Sequence, residues 1–336
     1  MLKIDVHTHI LPREIPRWAG KFGYGGFISL DHHSIGCARM IRDDGTQFRD
    51  VGDNCWEPSR RIEEMDSTGV SVQVLSTVPV MFNYWTEAEH GAEIARFLND
   101  NIAAAVNEFP LRFAGLGTVP LQDTNLAIRE LEYCKSIGLA GVEIGTNVNQ
   151  LNLSESRFFD FFAACERLGM AIFVHPWDMM GEADMQKYWL PWLVGMPAEV
   201  SRAICSLIFG GVLERLPGLR ILFAHGGGAF PATLGRIEHG FDVRPDLCAV
   251  DNPHRPRRYL SNMYFDSLVH DASKLNFLLD LVGADQIALG SDYPFPLGEA
   301  VPGELIDVCV FSDEIKSMLL HGAALNWLDL DKSQFI

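Results

Sequence analysis

At 336 residues, 48% hydrophobic and 21% charged, the chain has the make-up of a globular protein with a sizeable core. Its formal net charge of −17 excludes nucleic acid and anionic membrane as partners, since both need a basic footprint, although a few arginines in a pocket can still receive a small anion. No long apolar run and no basic-then-apolar leader occur, and seven scattered cysteines form no CxxC pair, so the chain reads as cytosolic with reduced thiols.

Residues 3–9, KIDVHTH, read as a short buried strand in which Ile4 and Val6 alternate with polar neighbours. Strand alternation sends His7 and His9 to one face, a pleat apart, where two imidazoles can reach one metal ion. Residues 12–56 break the pattern with glycines, short apolar runs and a hairpin turn at Asp43-Asp44-Gly45, and read as a small β-rich insertion carrying Arg39, Arg42 and Arg49. Strand-like runs then recur at 70–77, 114–120, 140–146, 171–176, 220–226, 263–268 and 286–292. Helical patterns separate them at 59–67, 87–108, 125–136, 154–168, 198–216, 230–239, 272–282 and 313–325, several ending at a glycine such as Gly69, Gly138 or Gly169.

With the first, that makes eight buried strands alternating with helices. The pattern predicts a single (β/α)8 TIM barrel over residues 1–336, with insertion 12–56 after strand 1. An open doubly wound sheet would call for a glycine-rich phosphate loop, and neither GxGxxG nor a Walker A sequence is present.

Position makes the chemistry legible. His7 and His9 end the first strand, His175 the fifth, His225 the sixth and Asp292 the eighth, and in a barrel all those ends open on one face. Three imidazoles and a carboxylate suit Zn²⁺ first, and Fe²⁺, Co²⁺ or Mn²⁺ less often. An ion with an open position lowers the pKa of its water toward about 7, and His225 is placed to act as the base beside it. A helix N-terminus after Gly226-Gly227-Gly228 would keep that imidazole neutral; the other reading is that His225 only caps the glycine turn. HGGG without a GxSxG nucleophile is no lipase oxyanion loop.

The HxH pair, the single histidines of strands 5 and 6 and the strand-8 aspartate resemble the amidohydrolase superfamily. The stretches HPWDMM from His175, KYWLPWLVGMPAE from Lys187, FAHGGGAFP from Phe223 and GSDYPFPLGE from Gly290 resemble its decarboxylase branch, and the likeness covers essentially the whole chain. This resemblance implies one zinc per chain on His7, His9, His175 and Asp292, with His225 activating the water and Asp292 as a candidate for returning the final proton. It implies nonoxidative decarboxylation of a small anionic dicarboxylate in tryptophan (kynurenine) catabolism, limiting quinolinate and NAD formation. Arg49 matches the family's carboxylate-binding arginine, Trp192 and Phe295 match aromatic pocket positions, and Arg236 matches an arginine shared across a homodimer.

Each of these has an ordinary alternative. Arg49 could be a solvated hairpin residue, Arg236 a helix-surface partner of Glu238 or another carboxylate, and Trp192 and Phe295 plain core. Trp177, Met179 and Met180 read as pocket wall. Glu143, mid-strand in the fourth strand, stands where the family leads one to expect a neutral side chain; with no lysine following, a mononuclear site is predicted and the partner of this buried carboxylate stays unnamed. His32, His33, His239, His254, His270 and His321 read as surface or structural, His254 being the most exposed. A metal-dependent lactone or amide hydrolase is the second functional reading, and a metal-bearing binding protein the third.

Overall fold

In the computed structural model, which describes residues 1–335, the chain opens with β1 (Ile4–Ile10), buried along its whole length. The insertion follows as a short helix α1 (Trp18–Phe22), absent from the sequence reading, and an antiparallel sheet of β2 (Ile28–Ser34), β3 (Cys37–Arg42) and β4 (Gln47–Gly52). The β3–β4 hairpin turns where Asp44-Gly45 predicts it: the Gly45 N–H donates to Arg42 O, and Gly45 takes the left-handed φ of 83°.

Next come α2 (Pro58–Thr68), β5 (Val72–Thr77), α3 (Ala88–Glu108), β6 (Phe113–Thr118), α4 (Thr124–Ser136) and β7 (Gly141–Gly145). A two-residue ribbon, β8 (Asn147–Val148) with β9 (Leu151–Asn152), precedes α5 (Phe159–Leu168), β10 (Ala171–His175), α6 (Met196–Phe209), α7 (Val212–Arg215) and β11 (Ile221–Phe223). The chain finishes with α8 (Phe230–Val243), α9 (Pro245–Cys248), β12 (Met263–Asp266), α10 (Ala272–Val282), β13 (Ile287–Ala288), α11 (Glu304–Val308), α12 (Asp313–Ser317) and α13 (Ala323–Leu328). Local chemistry sets these limits. Asp123 and Asp271 cap α4 and α10 by accepting backbone N–H bonds, while Gly69 and Gly169 close α2 and α5 in the left-handed conformation. The single helix predicted over 198–216 is divided by Gly210 and Gly211, the latter at φ 69°.

Eight parallel strands pair in the order β1-β5-β6-β7-β10-β11-β12-β13, and the ends of this sheet approach each other. Val6 N–H donates to Leu289 O and His9 N–H to Tyr293 O, both at 2.8 Å, so the sheet curls into the predicted (β/α)8 barrel with its insertion after strand 1. β13 is only two residues long, and the seam relies on these bonds beyond it.

Strict alternation fails in β1. Its register against β5 shifts between Asp5 and Thr8, a bulge that changes which face the following side chains meet. Ile4 and Val6 therefore join the interior cluster of Val72, Val74, Phe173 and Trp327, yet the ring of His7, one residue after Val6, also packs on Phe173, with centroids 4.9 Å apart. The bulge lets one strand supply both the apolar floor and the polar mouth. α13 plugs that floor with Trp327, while a larger cluster fills the space between strands and helices.

The insertion packs as a third cluster, with Leu11, Phe27, Met40 and Trp56 against Val80, Met81 and Leu98. It thereby roofs the barrel beside strand ends β1 and β5. Among the described residues, one helical run, Pro191–Phe209, is long and apolar enough to cross a bilayer by composition; it contains α6, whose Val200, Ala203, Ile204 and Leu207 are buried in the cluster between strands and helices. His254 is half-buried beside Glu214 at 3.5 Å, so it is not the most exposed histidine: its loop folds back onto α7.

Trp327 is fully buried with the aliphatic floor around it. Trp327→Ala should cost about 3–5 kcal/mol by denaturant unfolding; a loss below about 1 kcal/mol would show that α13 does not close the barrel.

Candidate metal centre

Two strands and one loop bring the ligands together. His7 and His9 come from β1, His175 is the last residue of β10, and Asp292 follows β13. One atom from each lies within 4.8 Å of the other three, all four residues are buried, and the three imidazole centroids are 5.0–5.2 Å apart.

The hydrogen-bond pattern selects the tautomer. His7 Nδ1 lies 2.7 Å from Asp266 Oδ2, His9 Nδ1 lies 2.8 Å from Thr77 O, and His175 Nδ1 lies 3.0 Å from Pro176 O. Each of these partners accepts, so each ring donates from Nδ1 and turns a bare Nε2 lone pair inward. All three Nε2 atoms are buried without a hydrogen-bond partner. Three orphaned acceptors beside a carboxylate, each oriented from behind by a carbonyl or carboxylate, fit a divalent ion.

Electrostatics agree. Burial pushes the His9 and His175 imidazoles below their usual range, which keeps them neutral and able to ligate. Burial acts to raise Asp292, but the imidazoles of His225, His9 and His7 around it outweigh burial and hold the carboxyl well below the usual range. Its Oδ1 lies 3.2 Å from His9 Nε2 and 3.6 Å from His7 Nε2.

His225 stands across the cluster, its ring 5.2 Å from those of both His7 and His175 and its Nε2 3.9 Å from Asp292 Oδ2. Burial lowers its pKa, yet the nearby carboxylates of Asp292 and Asp266 carry it above the ordinary value. A helix N-terminus alone would push the imidazole the other way. Two facing carboxylates outweigh the dipole of α8, which begins five residues later. Both His225 (φ 56°) and Asp292 (φ 59°) hold left-handed backbone conformations rare for side-chain-bearing residues, and such strain persists only where the surroundings fix it.

Asp266, at the end of β12, does much of that fixing and was missed in the sequence. Its Oδ2 accepts from His7 Nδ1 and from the His225 N–H (2.8 Å), and its Oδ1 from the Gly226 N–H (2.7 Å). Its place at a strand end, like those of His175 and His225, was the available signal. A Cβ on Gly290 would stand 2.7 Å from that of Asp266 and 2.9 Å from that of His7, so glycine there lets the two side chains sit in contact.

Glu143 is fully buried in β7 with neither carboxyl oxygen hydrogen-bonded, and burial drives its pKa well above the carboxylate range. It approaches the Nδ1 side of His9 at 3.8 Å, behind the cluster and outside the four-atom set.

Arg49 of β4 is half-buried, its guanidinium 4.3 Å over the ring of Phe295, and both line a small chamber of about 30 Å³ with His9, His175, Trp177 and Trp192. A second chamber of about 310 Å³ opens on the other side of Asp292, lined by Trp192, Pro197, His225, Lys274 and Phe277. Met179 is instead buried under Gly195, and Met180 is exposed, held by its N–H to Glu199 (2.8 Å), so neither lines a chamber: Glu199 of α6 draws this loop backward. Arg236 lies exposed on α8, away from both chambers; Glu238 pairs with Arg257, and among the described residues Arg236 has no ion-pair partner. His32, His33, His239 and His270 are exposed, and His321 is buried near Lys332.

A barrel mouth carrying a buried three-histidine, one-aspartate cluster is the site of a metal-dependent amidohydrolase-type protein. The amidohydrolase family pattern matches residues 4–330, and the chain belongs to that family. It is 54% identical to the 2-amino-3-carboxymuconate-6-semialdehyde decarboxylase of Dictyostelium discoideum, over 100% of this chain and 94% of that protein. It is 40% identical to the enzyme of the same name from Caenorhabditis elegans, over 98% and 95%. Among solved structures, 5-carboxyvanillate decarboxylase from Sphingomonas paucimobilis superposes with a TM-score of 0.75 at 28% identity, over 81% of this chain and 83% of that one.

Asp266→Asn keeps the size but exchanges the carboxylate behind His7 for an amide. Zinc affinity, followed by competition with a chelator, should fall about 10–100-fold; unchanged affinity would mean that His7 is oriented without it.

Proposed function

We propose that this chain is a metal-dependent nonoxidative decarboxylase that converts 2-amino-3-carboxymuconate 6-semialdehyde to 2-aminomuconate 6-semialdehyde and CO2. It thereby acts in tryptophan (kynurenine) catabolism and limits quinolinate and NAD formation. The observation that carries this reading is the set of inward, unpartnered Nε2 atoms beside Asp292, in a chain more than half identical to a decarboxylase named for that substrate. His7, His9, His175 and Asp292 would hold the ion, zinc and one per chain in our reading; when bound it supplies Lewis acidity and stabilises negative charge as the carbon–carbon bond breaks.

The chain's own residues supply the rest. Arg49, stacked on Phe295, offers a bidentate fork to one carboxylate. Its chamber of about 30 Å³ suits that group alone, so the conjugated body of the substrate belongs in the chamber of about 310 Å³ beside His225, with Trp192 between the two. Water adds to the conjugated system as His225 takes its proton. The carbon bearing the departing carboxylate takes up that proton, the bond to CO2 breaks, and its electron pair re-forms the carbon–carbon double bond as the added hydroxide leaves. The His225–Asp292 pair, 3.9 Å apart, holds that proton between the two events.

The second carboxylate needs a second cation. We assign it to Arg236 of a neighbouring subunit in a homodimer; its exposure and lack of an ion-pair partner among the described residues leave it available, and its helix α8 begins at the wall of the larger chamber. The seven unpaired cysteines suit the cytosol.

The direct test follows the absorbance of freshly generated substrate with enzyme, chelator and added zinc: metal-dependent acceleration of its loss is expected, and an unchanged decay rate would overturn the assignment. His225→Ala should keep its metal and lose about 10²–10⁴-fold in turnover; surviving turnover would reduce His225 to a turn residue. Arg49→Gln and Arg236→Gln chains, each weak alone, should regain activity when mixed, whereas no recovery would argue against a shared site.

A further inference from the structure

Arg61, on α2, is a fully buried guanidinium with no carboxylate within ion-pair distance among the described residues. A charge in that position demands an explanation, because burying one without a counter-ion is costly and an apolar side chain of similar shape would fill the space more cheaply. Its contacts converge on the seam of the barrel. Nη1 donates to His9 O at 2.7 Å and to Asn54 O at 3.0 Å, and Nε donates to Gln73 Oε1 at 3.0 Å. The guanidinium carbon also lies 4.7 Å from the ring centroid of Tyr293, the residue after Asp292.

Tyr293 is gripped from the same helix a second time: its hydroxyl donates to Glu64 at 2.6 Å, and Glu64 is one turn from Arg61. Its carbonyl in turn accepts from the His9 N–H. Both backbone polar groups of His9 are thereby engaged, the N–H by the strand-8 side and the carbonyl by Arg61. On the β13 side the ladder is thin, since β13 ends at Ala288, four residues before Asp292, and beyond it a single isolated bridge joins Thr8 and Tyr293. We propose that Arg61 is the positioning residue that locks two metal ligands together, fixing the backbone of His9 through its carbonyl and that of Asp292 through the ring of Tyr293. The inference rests on the metal-centre reading above.

The test uses zinc itself on the full-length chain, with Arg61→Met, Arg61→Lys and Tyr293→Leu. Arg61→Met fills the space without donors; Arg61→Lys keeps one donor for His9 O but loses the fork and the planar stacking; Tyr293→Leu removes the ring and leaves the arginine. Zinc affinity by chelator competition should fall at least about tenfold in Arg61→Met and Tyr293→Leu, with Arg61→Lys between them and wild type, as for loss of an outer-shell partner. The rise in Tm on adding zinc should shrink in the same order. A purely structural role predicts a lower Tm in the metal-free chain and wild-type zinc affinity; affinity within twofold of wild type in Arg61→Met would overturn the proposal. If Arg61→Met does not fold, wild-type affinity in Tyr293→Leu overturns it equally. A wild-type chain that takes up no zinc would instead remove the metal reading, and this inference with it.

Discussion

Three buried imidazole nitrogens with nothing to bond to are the constraint on which this structure turns. Nε2 of His7, His9 and His175 would each be an unsatisfied acceptor in a core otherwise rich in apolar side chains. Their orientation is enforced from behind, by Asp266, Thr77 O and Pro176 O, so that no ring can rotate to recover a partner without giving one up. A cation resolves the conflict for all three together, and Asp292, held ionised by its neighbours, supplies the negative charge that an all-imidazole site would lack.

The barrel exists around that site in a recognisable division of labour. The lower strand residues and Trp327 make a dry floor, the bulge in β1 allows the floor and two ligands to come from seven consecutive residues, and the insertion roofs the opposite side with Arg49 and Phe48. Strain is concentrated where chemistry is assigned. His225 and Asp292 both sit in left-handed conformations, and each is tied to an element at the seam: His225 by its N–H to Asp266, Asp292 through Tyr293 to α2. The two chambers lie on either side of Asp292 and share Trp192 as a wall.

Much of this was legible in the sequence because it depended on periodicity and position. The recurring strand runs found all eight barrel strands, and residues at their ends (His7, His9, His175, His225, Asp292) converge because parallel strands in a barrel share one C-terminal face. What stayed hidden depended on register or on distant partners. Alternation in KIDVHTH could not reveal the bulge, since a one-residue slip leaves the composition unchanged. Asp266 is one position in a strand run, and only the fold shows that both His7 and His225 bond to it; nothing in the adjacent pair Arg60-Arg61 distinguishes the solvated arginine from the fully buried one. Glu143 stands out in the sequence as a carboxylate in want of a partner, and the structure gives it none, burial raising its pKa instead.

The central claim is that three Nε2 atoms and Asp292 form one metal centre. X-ray absorption at the zinc edge of the reconstituted protein reads that shell directly. The account predicts one ion with three imidazole nitrogens at about 2.0–2.1 Å and carboxylate oxygen at about 2.0–2.2 Å, with the imidazole signal reduced by one when His175 is replaced by alanine. A shell made of water and carboxylate oxygens alone, or one unchanged by His175→Ala, would contradict it.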